Sequence, residues 1–176
     1  MLALEVKSLP YTPRRLGNTK REQKNPEYLA INARGQVPTL IDRGNTICET
    51  LAILPYLDSA YPAPPLFGGE PVETARIWQT ICECDGNLRA LIGDISRPLF
   101  RGKGAEFEEQ ITEAAVTVRE ELTLLETSLS SSPWLTGQTL SAADLSVFPF
   151  LMQLERAVAR DEAKPMSLDI HPFDTY

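Results

Sequence analysis

Nowhere in its 176 residues does the sequence hold an apolar run approaching the roughly 18 residues that a membrane-crossing helix needs. Met1-Leu2-Ala3-Leu4 is followed at once by Glu5, so no secretory leader pattern is visible, and a cytoplasmic protein is expected. Histidine is nearly absent: His171 stands alone, with no second ligand or nucleophile beside it, and reads as a loop residue. Cysteine is scarce and odd in number. Cys82 and Cys84 sit two positions apart on a helix-patterned stretch, which points their side chains about 200° apart. That is a poor start for a metal site, so reduced, mostly buried thiols and no metal are expected. Positive charge is also short, with 17 basic against 24 acidic residues and a net charge of -7, so a nucleic-acid partner would meet repulsion. The one basic cluster, Arg14, Arg15, Lys20, Arg21 and Lys24, is broken by Gly17, Asn18 and Glu22 and carries no interleaved aromatic residue. It reads as a solvated loop that binds neither nucleic acid nor membrane.

What is present is an ordinary globular composition, 43% hydrophobic and 23% charged, enough for one moderate domain or two small ones. Proline and glycine cluster in Tyr61-Pro62-Ala63-Pro64-Pro65-Leu66-Phe67-Gly68-Gly69 and mark a boundary. We expect an N-terminal domain over residues 1–61, a linker over 62–71 and a C-terminal domain over 72–176. Upstream, Val37 to Ile41 and Thr46 to Cys48 flank a turn at Gly44-Asn45 and predict two antiparallel strands. Leu51, Leu54, Leu57 and Ala60 then recur at helical intervals, with Pro55 near the helix start, where it is least costly.

Downstream the period is helical throughout. Val72 to Leu99 forms one stripe, weakest at Gly86, and Phe107 to Leu129 forms a second. The two should pack as an antiparallel hairpin through Arg101 to Gly104. Leu140-Ser141-Ala142-Ala143-Asp144-Leu145 is a helix start: Ser141 can accept from the backbone amide three residues on, and Asp144 can reach back to the amide of Ser141. Pro149 lies within that helix and should kink it or displace its hydrogen bonding.

These motifs, taken in order, resemble the cytosolic glutathione transferases. Asn25-Pro26-Glu27-Tyr28-Leu29-Ala30-Ile31-Asn32, then Gly35-Gln36-Val37-Pro38-Thr39-Leu40, then Ile47-Cys48-Glu49-Thr50-Leu51-Ala52-Ile53 look like the N-terminal signature of that family. Trp134-Leu135-Thr136-Gly137 followed by Leu140-Ser141-Ala142-Ala143-Asp144 is similar to its C-terminal one. The resemblance implies an α+β, thioredoxin-like N-terminal domain and an all-α helical-bundle C-terminal domain. It also implies glutathione as co-substrate, a small electrophile as second substrate, and a homodimer formed through the helix that carries Arg76 and Trp78. The electrophile itself is not legible.

The chemistry of a thiol tripeptide indicates where it would bind. Pairing with a peptide ligand needs an amide and a carbonyl turned outward from one residue, and Val37 before a cis Pro38 would supply both. The γ-glutamyl end carries an ammonium and a carboxylate, so it needs an acid beside a donor-rich helix start, which Glu49 and Thr50 provide. The bland alternative for that pair is a helix cap. Gln36 could reach the central peptide unit of the ligand with its amide. The glutathione-binding set is therefore Gln36, Val37, Pro38, Glu49 and Thr50.

The family activates the thiol with a Ser, Tyr or Cys in its first strand or at the start of its first helix. Here Leu2, Val6 and Leu9 look like the end of that first helix, leading into a second strand from Tyr11 to Arg15. The activating segment would precede Met1, and the last helix would follow Tyr176, so the resemblance implies a chain incomplete at both ends, with its first strand missing. No catalytic residue is assigned. Two functions compete: a transferase that conjugates glutathione to small electrophiles, and a non-catalytic transferase-like binding or scaffold module.

Overall fold

The structure is a computed structural model that describes residues 1–17 and 20–172. The chain divides into two compact units, Met1–Leu66 and Phe67–Tyr176. The first is α+β. A short helix α1 (Leu2–Val6) and a one-turn helix α2 (Pro26–Leu29) precede strands β1 (Thr39–Asp42) and β2 (Asn45–Cys48), and helix α3 (Thr50–Ala60) follows. β1 and β2 pair antiparallel, with Thr39 opposite Cys48 and Asp42 opposite Asn45.

That register corrects the predicted turn by one residue. The turn residues are Arg43 and Gly44, both with positive φ, 50° and 81°. Positive φ at both central positions is the type I′ signature, whose twist matches that of the paired strands, and the pattern spends the glycine on the second position.

The predicted strand from Tyr11 to Arg15 is not formed. A strand needs a neighbour to exchange backbone hydrogen bonds with, and none of the described residues bonds to the backbone here. Pro10 and Pro13 remove two of the local donors as well.

Lys7 closes the first unit. Its buried ammonium donates to Asp58 Oδ1 at 2.9 Å and to the carbonyls of Tyr61 and Pro64, each at 2.7 Å. All three ammonium protons therefore have acceptors, which is what a buried charge requires. Asp58 Oδ1 also accepts from the amide of Leu66 at 2.7 Å. One ion pair thus ties α1 to the end of α3 and to the proline-rich segment.

The second unit is all-helical: α4 (Pro71–Glu83), α5 (Arg89–Phe100), α6 (Glu108–Leu129) and α7 (Ala142–Val158). The predicted stripe from Val72 to Leu99 is α4 and α5 joined by a π-helical turn, Cys84–Leu88, with Gly86 at its centre. Ile81, Leu88, Ile92, Ile95 and Leu99 of this run are almost fully buried, as are Ile111 and Val118 of α6 and Val147, Leu151 and Leu154 of α7. Burying each such side chain contributes about 1.5 to 3 kcal/mol. α7 begins with the expected capping box and continues through Pro149 as one helix. In α4, Trp78 stacks on Phe67 at 5.1 Å between ring centroids, and Arg76 is exposed.

Of the three thiols only Cys84 is buried, Cys48 being half-buried and Cys82 exposed, which corrects the expectation of mostly buried cysteines. The reason is helical phase: two positions after Cys82, Cys84 faces the core while Cys82 faces solvent. Burial, with Glu121 and Glu83 nearby, pushes the Cys84 thiol up to about 12. His171 is exposed in a loop with Asp169 Oδ1 3.2 Å from its Nε2. Among the described residues, no helix is long and apolar enough to cross a membrane, and no group of three or more His, Cys, Asp or Glu is placed to hold a metal ion.

Candidate functional site

The hairpin register gathers the five residues singled out from sequence. Because Thr39 pairs with Cys48, Pro38 and Glu49 flank the same rung, and Val37 and Thr50 follow on either side. All five, Gln36 included, are exposed at the open end of the hairpin.

Val37 lies just outside the ladder. Among the described residues neither its amide nor its carbonyl has a backbone partner, and its side chain is 61% exposed. An unpaired amide and carbonyl on one residue can be met by a peptide-like ligand. The Val37–Pro38 peptide bond is cis.

Glu49 has φ 71° and ψ 127°, a conformation rarely adopted by residues other than glycine. Holding a side-chain-bearing residue there costs roughly 1 to 3 kcal/mol, and such residues cluster at functional sites. Its carbonyl starts α3 by accepting from Ala52 and Ile53 at 3.0 and 2.9 Å. Its carboxylate, in contrast, caps nothing and has no hydrogen-bond or ion-pair partner among the described residues. The cap interpretation of Glu49-Thr50 therefore fails at the Glu49 side chain: the backbone starts the helix while the carboxylate is uncommitted. An acid at a helix start, where the first amides lack intrahelical acceptors, suits a ligand end that carries both an ammonium and a carboxylate.

The loop leading to Val37 is held by residues whose roles were not read from sequence. Tyr28 Oη donates to the carbonyl of Gln36 at 2.7 Å and lies 2.8 Å from Thr39 Oγ1. Asn32, only 5% exposed, donates through Nδ2 to the same carbonyl at 2.9 Å and accepts from the amide of Arg34 at 3.1 Å. Gly35 is needed for the turn, because it has φ 57° and a Cβ there would lie 2.6 Å from the carbonyl of Gln23. Asn25 to Asn32 and Gly35-Gln36 were visible as a motif; that the motif fixes the approach to Val37 appears only in three dimensions. The Gln36 side chain has no hydrogen-bond partner among the described residues and is left exposed.

At the opposite end of the hairpin, Asp42 accepts from Tyr56 Oη at 2.7 Å and from Tyr61 Oη at 2.9 and 3.0 Å. The Tyr56 hydrogen bond, foremost among several contacts, holds the Asp42 carboxyl below its usual value, and in turn the Asp42 bonds raise both phenols. Arg43 lies over the Tyr61 ring at 4.9 Å. This cluster anchors the hairpin tip to α3.

Family models match both parts of the chain: residues 1–65 match the glutathione S-transferase N-terminal domain and residues 108–172 the C-terminal domain. A maleylacetoacetate isomerase from Pseudomonas aeruginosa is 30% identical over 166 residues, covering 88% of this chain and 74% of that protein. The chain belongs to the glutathione transferase family. Among solved structures, poplar glutathione transferase F1 carrying a Ser-to-Cys substitution is 25% identical, with a TM-score of 0.76 over 93% of this chain and 87% of that one. A family member from Pseudomonas fluorescens, solved with two glutathione molecules bound, shares the fold at a TM-score of 0.77 and 21% identity, over 97% of this chain and 86% of that one. For this transferase-family chain, the α+β, thioredoxin-like unit and the helical unit are the two parts that the family models describe. The exposed hairpin end carrying Val37, Glu49 and Thr50 lies in the first of them.

Proposed function

We propose that this chain binds glutathione at the open end of its hairpin and serves the conjugation of the tripeptide to a small electrophile. The observation that carries the reading is Glu49: a strained residue with an uncommitted carboxylate, beside a helix start and across the hairpin end from a residue with a free amide and carbonyl. Glu49 would take the γ-glutamyl ammonium, the Thr50 hydroxyl and the first amides of α3 the γ-glutamyl carboxylate, and Val37 the cysteinyl backbone. Gln36 would add a side-chain amide toward the ligand's central peptide unit, and Pro38 holds the turn. Glutathione bound to the Pseudomonas fluorescens family member supports the co-substrate. The name of the Pseudomonas aeruginosa relative favours a second reading of the same site, isomerisation of an unsaturated small electrophile with glutathione as helper. A homodimer formed through the α4 face that bears Arg76 belongs to this proposal and is checked by light scattering.

Calorimetry with two ligands tests the binding mode. Glutathione should bind the native chain at least tenfold more tightly than glutaryl-cysteinyl-glycine, which lacks only the ammonium, since a hydrogen bond to a charged group contributes about 1.5 to 3 kcal/mol. Glu49→Gln should erase that difference. Equal affinity of the native chain for both ligands refutes the assignment of Glu49.

A further inference from the structure

We propose that Tyr28 and Asn32 are positioning residues for glutathione: together they clamp the carbonyl of Gln36 and so hold the Val37 amide outward, toward the ligand. The identity of the ligand rests on the transferase reading; the clamp on the peptide unit does not.

The Gln36 carbonyl and the Val37 amide are the two ends of one peptide unit, planar and trans. In such a unit the C=O and the N–H point in opposite directions, so whatever fixes one fixes the other. The unit as a whole still turns about the soft dihedrals on either side of it. Without an anchor, the amide of a residue as exposed as Val37 has no set direction.

The structure supplies the anchor on the carbonyl side. Tyr28 Oη donates to the Gln36 carbonyl at 2.7 Å and Asn32 Nδ2 at 2.9 Å, so both lone pairs of that oxygen are used. The two donors are themselves held. Thr39 Oγ1, on the end rung of the hairpin, lies 2.8 Å from Tyr28 Oη and 3.3 Å from Asn32 Nδ2. Asn32 Oδ1 accepts from the Arg34 amide at 3.1 Å, which sets which side of its amide group faces Gln36. The Asn32 amide in turn donates to the Tyr28 carbonyl at 2.8 Å, so the two clamping residues are tied to each other. Asn32 is only 5% exposed, and water does not compete for the carbonyl from that side.

The other side of the peptide unit is open. Val37 is exposed, and its amide has no backbone partner among the described residues. A clamped unit presents that amide already oriented, whereas a free one has to be ordered on binding, which weakens affinity. Neither Tyr28 nor Asn32 needs to touch glutathione for this effect.

Nuclear magnetic resonance of the isotope-labelled full chain, with and without glutathione, tests the clamp. In the ligand-free chain, Tyr28→Phe should move the Gln36 carbonyl carbon upfield, because one of its donors is gone. Glutathione binding should weaken about two- to tenfold, the range expected for one neutral hydrogen bond. Asn32→Asp, which sets an acceptor against the same carbonyl, should weaken it further. At saturating glutathione the Val37 amide proton should move downfield in the native chain and less in Tyr28→Phe, a signature that a general loss of stability does not produce. Tyr56→Phe, which removes a phenol hydrogen bond at the other end of the hairpin, should leave all three readouts unchanged. An unmoved Gln36 carbon in Tyr28→Phe, or glutathione affinity equal to that of the native chain, would overturn the proposal. No glutathione binding by the native chain at millimolar concentration refutes the transferase reading and the ligand with it, while the Gln36 resonance decides the clamp separately.

Discussion

Asp144→Ala should destabilise the helical unit more than any ordinary cap substitution. In the native chain Asp144 Oδ1 accepts from the Leu135 amide at 2.9 Å, and Oδ2 accepts from the Ser141 amide at 2.9 Å and the Ser141 hydroxyl at 3.0 Å. Asp144, Ser141 and Leu135 are only 3%, 3% and 6% exposed, so water cannot replace the lost acceptor without opening the structure. Each buried amide left without a partner costs about 1 to 3 kcal/mol. The Ser141 hydroxyl is discounted, because Thr136 Oγ1 lies 3.0 Å away and can pair with it. Two orphaned amides therefore give a loss of about 2 to 6 kcal/mol, against a typical total stability of roughly 5 to 15. Asp144→Asn should fall between, since one amide keeps an oxygen acceptor while the other faces a donor. Urea unfolding followed by far-UV circular dichroism reads the effect as a shift in midpoint at constant slope. A loss below about 1 kcal/mol for Asp144→Ala would show that these amides find other acceptors and would refute the reasoning.

Lys7→Ala should cost about 3 kcal/mol or more in the same assay, because it leaves Asp58 and two carbonyls without their shared donor; a neutral result would mean that this ion pair is not needed to hold the proline-rich segment. Glu49→Gly should do the reverse, raising the melting temperature by relieving the φ 71° strain while weakening glutathione binding, and a lowered melting temperature would contradict the strain argument. Asp42 has a depressed pKa in the folded chain, so its contribution is complete above the ordinary value of 3.8 and fades as pH falls below it. Asp42→Asn should therefore flatten the decline of stability as pH falls below about 4, and an unchanged acid limb would show that the tyrosine bonds do not hold. Tyr56 and Tyr61 are raised from 10.0, so their share is complete below pH 10 and is lost as pH rises through the folded values; Tyr56→Phe should soften the alkaline decline.

Much of this protein could be read from short-range pattern. The capping box at Ser141 and Asp144, the α3 helix and the two hairpin strands all depend on residues a few positions apart, where spacing dictates geometry. The clustering of Val37, Pro38, Glu49 and Thr50 was legible for the same reason, because a tight hairpin brings its two open ends together once the strands are recognised. The turn register was misread by one position, because Gly44-Asn45 and Arg43-Gly44 are both plausible turns in sequence and only the pairing of Asp42 with Asn45 decides between them. The expected strand at Tyr11–Arg15 is not formed because a strand is a property of two segments, and no partner segment pairs with it among the described residues.

By itself, the sequence determined the local elements and the identity of the groups that chemistry would use. Only the tertiary structure decided which of those groups are free. Lys7, 51 positions from Asp58, is committed to an ion pair, whereas the Glu49 carboxylate has no partner among the described residues. Whether a charged side chain is satisfied or available depends on contacts between residues far apart in the chain, and periodicity and composition carry no record of those contacts.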